Sequence, residues 1–130
     1  MSDPPDAEQP QRRFTVQEAE AKLPDLRDAL ARMREARQTI LRSAERVQAA
    51  VAGNGGGPEG REYSEAVGLL RAEVERISGE GIVLRDVESG LVDFPSERDG
   101  NLVYLCWRLG EEHVAFWHEV DTGFAGRRPL

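Results

Sequence analysis

One cysteine, one lysine and eight aromatic residues are all that 130 positions hold of those types, and each scarcity excludes something. A single cysteine cannot close an internal disulfide, so a disulfide-stapled fold is out and a reducing cytoplasm is the expected setting. No stretch approaches the roughly eighteen consecutive apolar residues of a membrane span, so no membrane partner is expected. The opening Met1-Ser2-Asp3-Pro4-Pro5-Asp6-Ala7-Glu8-Gln9-Pro10 has neither the basic start nor the apolar run of a secretory signal. Net charge is -7, with 24 acidic residues against 17 basic, which argues against a general nucleic-acid binder. Arginine supplies sixteen of those seventeen, a bias of GC-rich bacterial coding more than of chemistry.

What is present divides the chain in two. Residues 1–13 read as a disordered leader, because Pro, Gln and Asp there offer nothing to bury. Thr15-Val16-Gln17-Glu18 then has the spacing of a capping box, and Pro24 should stop a short helix at residues 16–22 and open a second. From there Leu23, Leu26, Leu30, Met33, Arg37, Ile40, Ala44, Val47 and Val51 recur at alternating steps of three and four. After the glycine-rich stretch 53–60, Tyr63, Val67, Leu70, Val74 and Ile77 repeat the alternation. Two amphipathic helices joined by a flexible loop predict an antiparallel hairpin with a coiled-coil-like seam. Folding at the loop sets Val47 against Val67, Ile40 against Val74 and Arg37 against Ile77. On lengths of about 43 and 27 Å the second helix ends there, leaving Leu23, Leu26, Leu30 and Met33 to be covered by strands or by a second subunit.

Residues 81–130 gather both tryptophans, both histidines, the cysteine and six of the eight aromatics. Residues 82–86 and 91–94 read as one β-hairpin, 95–101 as a polar loop with an Asp99-Gly100 turn, and 102–108 with 113–118 as a second hairpin. Strict alternation places Val103, Leu105, Trp107, Val114, Phe116 and His118 on the greasier, core-covering face. Tyr104, Cys106, Arg108, His113, Ala115 and Trp117 fall on the other. The end of the chain, from Gly123, is expected to be an irregular tail.

Gly90-Leu91-Val92-Asp93-Phe94-Pro95, Leu105-Cys106-Trp107-Arg108-Leu109-Gly110-Glu111, Phe116-Trp117-His118-Glu119 and Gly123-Phe124-Ala125-Gly126-Arg127 together resemble the bacterial domain of unknown function 2203. Phe14-Thr15-Val16 and Leu23-Pro24 resemble that family's start, so the likeness spans nearly the whole chain. The resemblance implies a small bacterial cytoplasmic protein with a helical N-terminal half. It implies no activity and carries no catalytic residue onto this sequence.

The chemistry-bearing candidates each have a plainer reading. Cys106, beside Arg108, has the makings of a reactive thiolate, which needs a lowered pKa and a nearby base. Alternation sets it opposite His118, so a small buried hydrophobe is the better reading. His118, Asp93 and Glu119 are metal-ligand types, with Asp121 and Glu111 behind them, but no His-x-x-x-His or Cys-x-x-Cys spacing supports them. The favoured expectation is no metal, with His118 hydrogen-bonded to Asp93 or to a backbone carbonyl and locking the module. Trp107 and Trp117 suit either stacking on a planar ligand, with Arg108 or Arg127 clamping an anion, or ordinary packing between strands. Neither the tail from Gly123 nor the 53–60 stretch has the context of a phosphate loop.

These readings converge on an α+β protein, a coiled-coil-like antiparallel helical hairpin (residues 14–80) packed on a small antiparallel sheet of two hairpins (residues 81–130) as one structural unit. The leading functional expectation is a non-enzymatic interaction or adaptor protein of the bacterial cytoplasm, partnered by its own copies or by another protein, with no cofactor named. The alternative is a small-molecule- or metal-binding protein, conceivably an enzyme, with its site among Asp93, Cys106, Trp107, Arg108, Trp117, His118 and Arg127. A concave cluster of Asp93, Cys106, Arg108, His118 and Arg127 would favour the second reading.

Overall fold

The computed structural model describes residues 12–53 and 58–130. Most of the expected leader, and the centre of the glycine-rich stretch, lie outside that range. Helix α1 spans Val16–Gly53 and α2 spans Pro58–Gly79. The strands are β1 (Val83–Asp86), β2 (Leu91–Arg98), β3 (Asn101–Arg108), β4 (Phe116–Glu119) and β5 (Arg128–Pro129). They form one antiparallel sheet in chain order, β1-β2-β3-β4-β5. The architecture is α+β, with a five-stranded meander in place of two separate hairpins.

Helix α1 begins with the expected capping box. Thr15 N–H donates to Glu18 Oε1 at 2.9 Å and Glu18 N–H to Thr15 Oγ1 at 3.0 Å. It does not break at Pro24, which lies inside one continuous helix. Pro24 is itself exposed, while Ala19, Leu23 and Leu26 on either side of it are fully buried. Tertiary packing of that face holds the turns together through the missing backbone bond. The loop is also shorter than expected, since Pro58 already opens α2 at the position proline tolerates best.

The seam between the helices is displaced from the expected register. Lys22 pairs with Glu80 at 3.0 Å, Asp25 with Arg76 at 2.9 Å and Arg32 with Glu73 at 2.8 Å. These contacts set α2 against the start of α1, roughly three turns from the expected Ile40–Val74 alignment. Ile77 therefore joins Leu26, Leu30 and Met33 in one buried cluster, and Arg37 pairs with Glu88 in the β1–β2 turn instead. A repeating apolar stripe is compatible with several registers, and the sheet selects among them. Val47, the expected partner of Val67, has its side chain outside the described ones.

The rest of the cluster is supplied by the sheet. Leu23, Leu26, Leu30 and Met33 pack with Val92, Phe94, Leu105, Trp107 and Val114, and half-buried Trp117 lies against them. The stripe is thus covered within the chain.

Strand β2 runs through Pro95 to Arg98, where a polar loop was expected. Pro95 accepts a bond from Phe14 N–H at 2.7 Å, and Ser96 Oγ donates to Phe14 O at 2.6 Å. A strand residue's nitrogen and carbonyl point the same way, so the nitrogen of Pro95 faces the edge beyond short β1 and no ladder bond is lost. The turn from β2 to β3 narrows to Asp99 and Gly100, whose φ values of 54° and 82° suit a tight two-residue hairpin turn. Residues 12 and 13 belong to this strap. Arg13 pairs with Glu97 at 3.0 Å and the Arg12 guanidinium stacks over Phe14.

Candidate functional site

The site arises from a change of phase in the sheet. Residues paired across an antiparallel ladder share a face. The register pairs Cys106 with Asp93 on β2 and with Phe116 on β4, and pairs Tyr104 with His118. Asp93, Cys106, Tyr104, Phe116 and His118 therefore share the outer face, away from the helices. Trp117 pairs with Leu105 on the covered face. The expected alternation had Phe116 and His118 in the core and Trp117 outside, and the structure reverses all three. The cause lies just before β4. Val114 is buried in the core, and its N–H goes to Glu20 Oε2 on α1 at 2.6 Å rather than into the sheet. Strand pairing resumes one residue out of phase, and a one-residue slip moves every later side chain to the opposite face.

Three polar side chains converge as a result. Asp93 and His118 are each 2% exposed and Cys106 is 0%. One donor atom from each lies within 4.8 Å of the others. His118 Nδ1 sits 2.7 Å from Glu119 O, and Nε2 sits 3.0 and 3.1 Å from the two Asp93 oxygens. The expected lock is present in both of its forms at once. Arg85 Nε donates to Asp93 Oδ2 at 2.9 Å, and its guanidinium lies over Tyr104.

Above this floor opens a cavity of about 340 Å³, lined also by Leu91 and residues 120–124. Arg127 lies beside Cys106, outside the cavity lining. Its guanidinium is held between the rings of Phe116 and Phe124, at 4.0 and 4.2 Å, and paired in bidentate fashion with Glu111. Its Nη1 lies 3.8 Å from Cys106 Sγ. Burial and the negative charge of Asp93 push the Cys106 thiol up to about 11 despite Arg127, so at neutral pH it is a thiol, not a nucleophile. The imidazole faces Asp93, so the geometry is not that of a Cys–His nucleophilic pair.

Of the residues singled out in the sequence, Asp93, Cys106 and His118 come together and Arg127 joins them through Sγ. Arg108 is exposed beside Phe124 and stays outside the cavity. Trp107 is a core residue whose indole N–H donates to Glu111 O at 3.0 Å. Trp117 lies on the covered face with Arg98 and Arg128 over its ring. Glu119 contributes its backbone carbonyl, while its carboxylate is exposed and outside the cluster, so Cys106 replaces it as the third ligand type. The tail is not wholly irregular, since β5 pairs with β4.

Arg85 was missed. The register steps from Leu84 to Asp86 and leaves Arg85 without a partner at a bulge, a feature that often re-aims a side chain toward a site. The exposed charge in an apolar strand was its only sequence signal.

The family model described as "Uncharacterized conserved protein (DUF2203)" matches residues 12–130. No curated protein and no solved structure matches the chain.

Proposed function

The chain belongs to the uncharacterised conserved family DUF2203, and we propose from its own residues that it is a small-ligand-binding protein whose site is the outer-face cavity over Asp93, Cys106 and His118. The observation that carries this reading is the burial of three polar, titratable side chains beneath an open cavity on the sheet face turned away from α1 and α2. Stability does not call for them. Burying charged groups costs several kcal/mol per ion, and apolar residues of similar volume commonly hold a fold as well or better. Convergent buried titratable groups in a cleft are the usual mark of a functional site.

The adaptor reading placed its recognition surface on the apolar helical stripe or on the Trp-rich sheet. The stripe is covered by α2 and the sheet, and Trp107 is buried with Trp117 half-buried against the same cluster. Binding accounts for more of the molecule. Native mass spectrometry of freshly purified protein, compared with its denatured mass, tests the reading. A stoichiometric extra mass that Asp93→Ala abolishes supports it. Bare protein that also takes up neither metal ions nor small anions would sink it.

A further inference from the structure

We propose that the cavity floor is a metal centre in which Asp93, Cys106 and His118 supply three ligands to one divalent ion of the zinc class and leave a coordination position open. This rests on the binding reading and names its ligand.

The convergence of three buried ligand types carries the argument. Glu119 O is a backbone carbonyl and can only accept, so in the 2.7 Å contact Nδ1 is the donor. The lone pair of Nε2 then points at the Asp93 carboxylate, 3.0 and 3.1 Å away. Two acceptors do not face each other at that distance unless a cation lies between them. The cation is a proton, giving an imidazolium–aspartate lock, or a metal ion.

Cys106 favours the metal ion: its Sγ lies in the same buried cluster as a third ligand type, with Arg127 beside it. Aspartate, thiolate and neutral imidazole are a ligand set of zinc; the ion displaces the thiol proton to solvent as it binds, and the two anionic ligands then neutralise its charge. Bond lengths of about 2.0 Å to nitrogen and oxygen and 2.3 Å to sulfur put tetrahedral donor atoms roughly 3.3–3.5 Å apart. The imidazole and carboxylate need only open by a few tenths of an ångström, and Sγ lies within 4.8 Å of both. Each ligand also has the outer partner that metal ligands characteristically keep. His118 has Glu119 O, Asp93 has Arg85, and Cys106 has Arg127, itself neutralised by Glu111. Asp93 can hold Arg85 and still present a free lone pair, because a carboxylate offers about four. Three protein ligands under an open cavity match zinc sites that bind an exchangeable water or substrate.

The experiment uses the full chain without a histidine tag, stripped with a chelator and titrated with cobalt(II). The expected result is one equivalent bound with a thiolate-to-cobalt charge-transfer band, displaced by zinc(II). Cys106→Ser should abolish that band and weaken binding at least tenfold, while Asp93→Asn should keep the band and weaken binding at least tenfold. Circular dichroism checks that each variant is folded, and the wild-type titration needs no variant. Absence of cobalt bands in the wild type, or unchanged affinity in folded Cys106→Ser, overturns the metal centre. If the wild type gives no cobalt bands but retains an organic molecule lost on Asp93→Ala, the metal centre falls and the binding reading stands.

Discussion

On the covered face of the sheet, Val92, Phe94, Leu105 and Trp107 meet Leu23, Leu26, Leu30 and Met33 from α1. One residue along β2 and β3, and along β4 from Trp117, lie Asp93, Cys106 and His118, which are scarcely more exposed yet face away from α1 and α2. The first burial needs no explanation beyond removal of apolar area from water. The second is achieved by polar groups satisfying one another and by a wall of arginine and phenylalanine. Neighbouring residues on one strand thus meet different surroundings, apolar packing on one side and mutually satisfied polar groups on the other.

The largest effect should come from breaking the covered face. Leu30 is fully buried among apolar partners, so Leu30→Asp leaves a charge unpaired in the core and should cost more than about 4 kcal/mol. Because the stripe is covered within the chain, the loss measured by denaturant titration should not change with protein concentration. A folded variant that merely shifts from dimer to monomer would mean this face is an interface.

The outer face should respond differently. In metal-free protein, Asp93→Ala removes the partner of both Arg85 and His118 and should cost about 3 kcal/mol, the usual penalty for orphaning one side of a buried pair. The conservative Asp93→Asn should recover part of that by accepting a hydrogen bond from His118 or Arg85. Thermal melts of the two variants side by side test this. Equal melting temperatures for both variants and the wild type would show that the cluster is not coupled to the fold.

Features with a local cause were legible in the sequence. Thr15 and Glu18 announce the cap of α1, Asp99-Gly100 announces a turn, and the stripe of α1 identifies the face that becomes the core. Features set by distant contacts were not. The helical stripes repeat, so they do not by themselves fix which turn of α2 meets which turn of α1. Pro95 reads as the end of a strand unless one knows that β1 is too short to reach it. The decisive case is Val114. Its capture by Glu20, ninety-four residues away, shifts β4 by one residue and carries His118 from the core face to Cys106. Asp93, Cys106, His118 and Arg127 were all recognisable as candidates by chemistry, but the arrival of His118 beside the Asp93–Cys106 pair depended on that shift. Arg85 was invisible because a bulge aims it.

The smallest effect concerns Cys106 and sharpens the comparison from the alkaline side. In metal-free protein, burial and then the charge of Asp93 raise its pKa from 9.0 to about 11. A raised pKa in the folded state means that the thiol's contribution is fully present below pH 9. Above that, the unfolded chain ionises first, and the contribution is lost as pH climbs through about 11. The loss should be no more than about 3 kcal/mol, following from 1.36 kcal/mol per pKa unit over the two units between 9.0 and about 11. Comparing the alkaline limb of the stability curve with that of Cys106→Ser isolates it, since serine does not titrate there. The same burial makes thiol labelling slow at neutral pH in the native protein and fast in denaturant. Fast labelling of native, metal-free protein at pH 7 would show that the outer face is open down to Cys106, and that its burial is not comparable with that of the covered face.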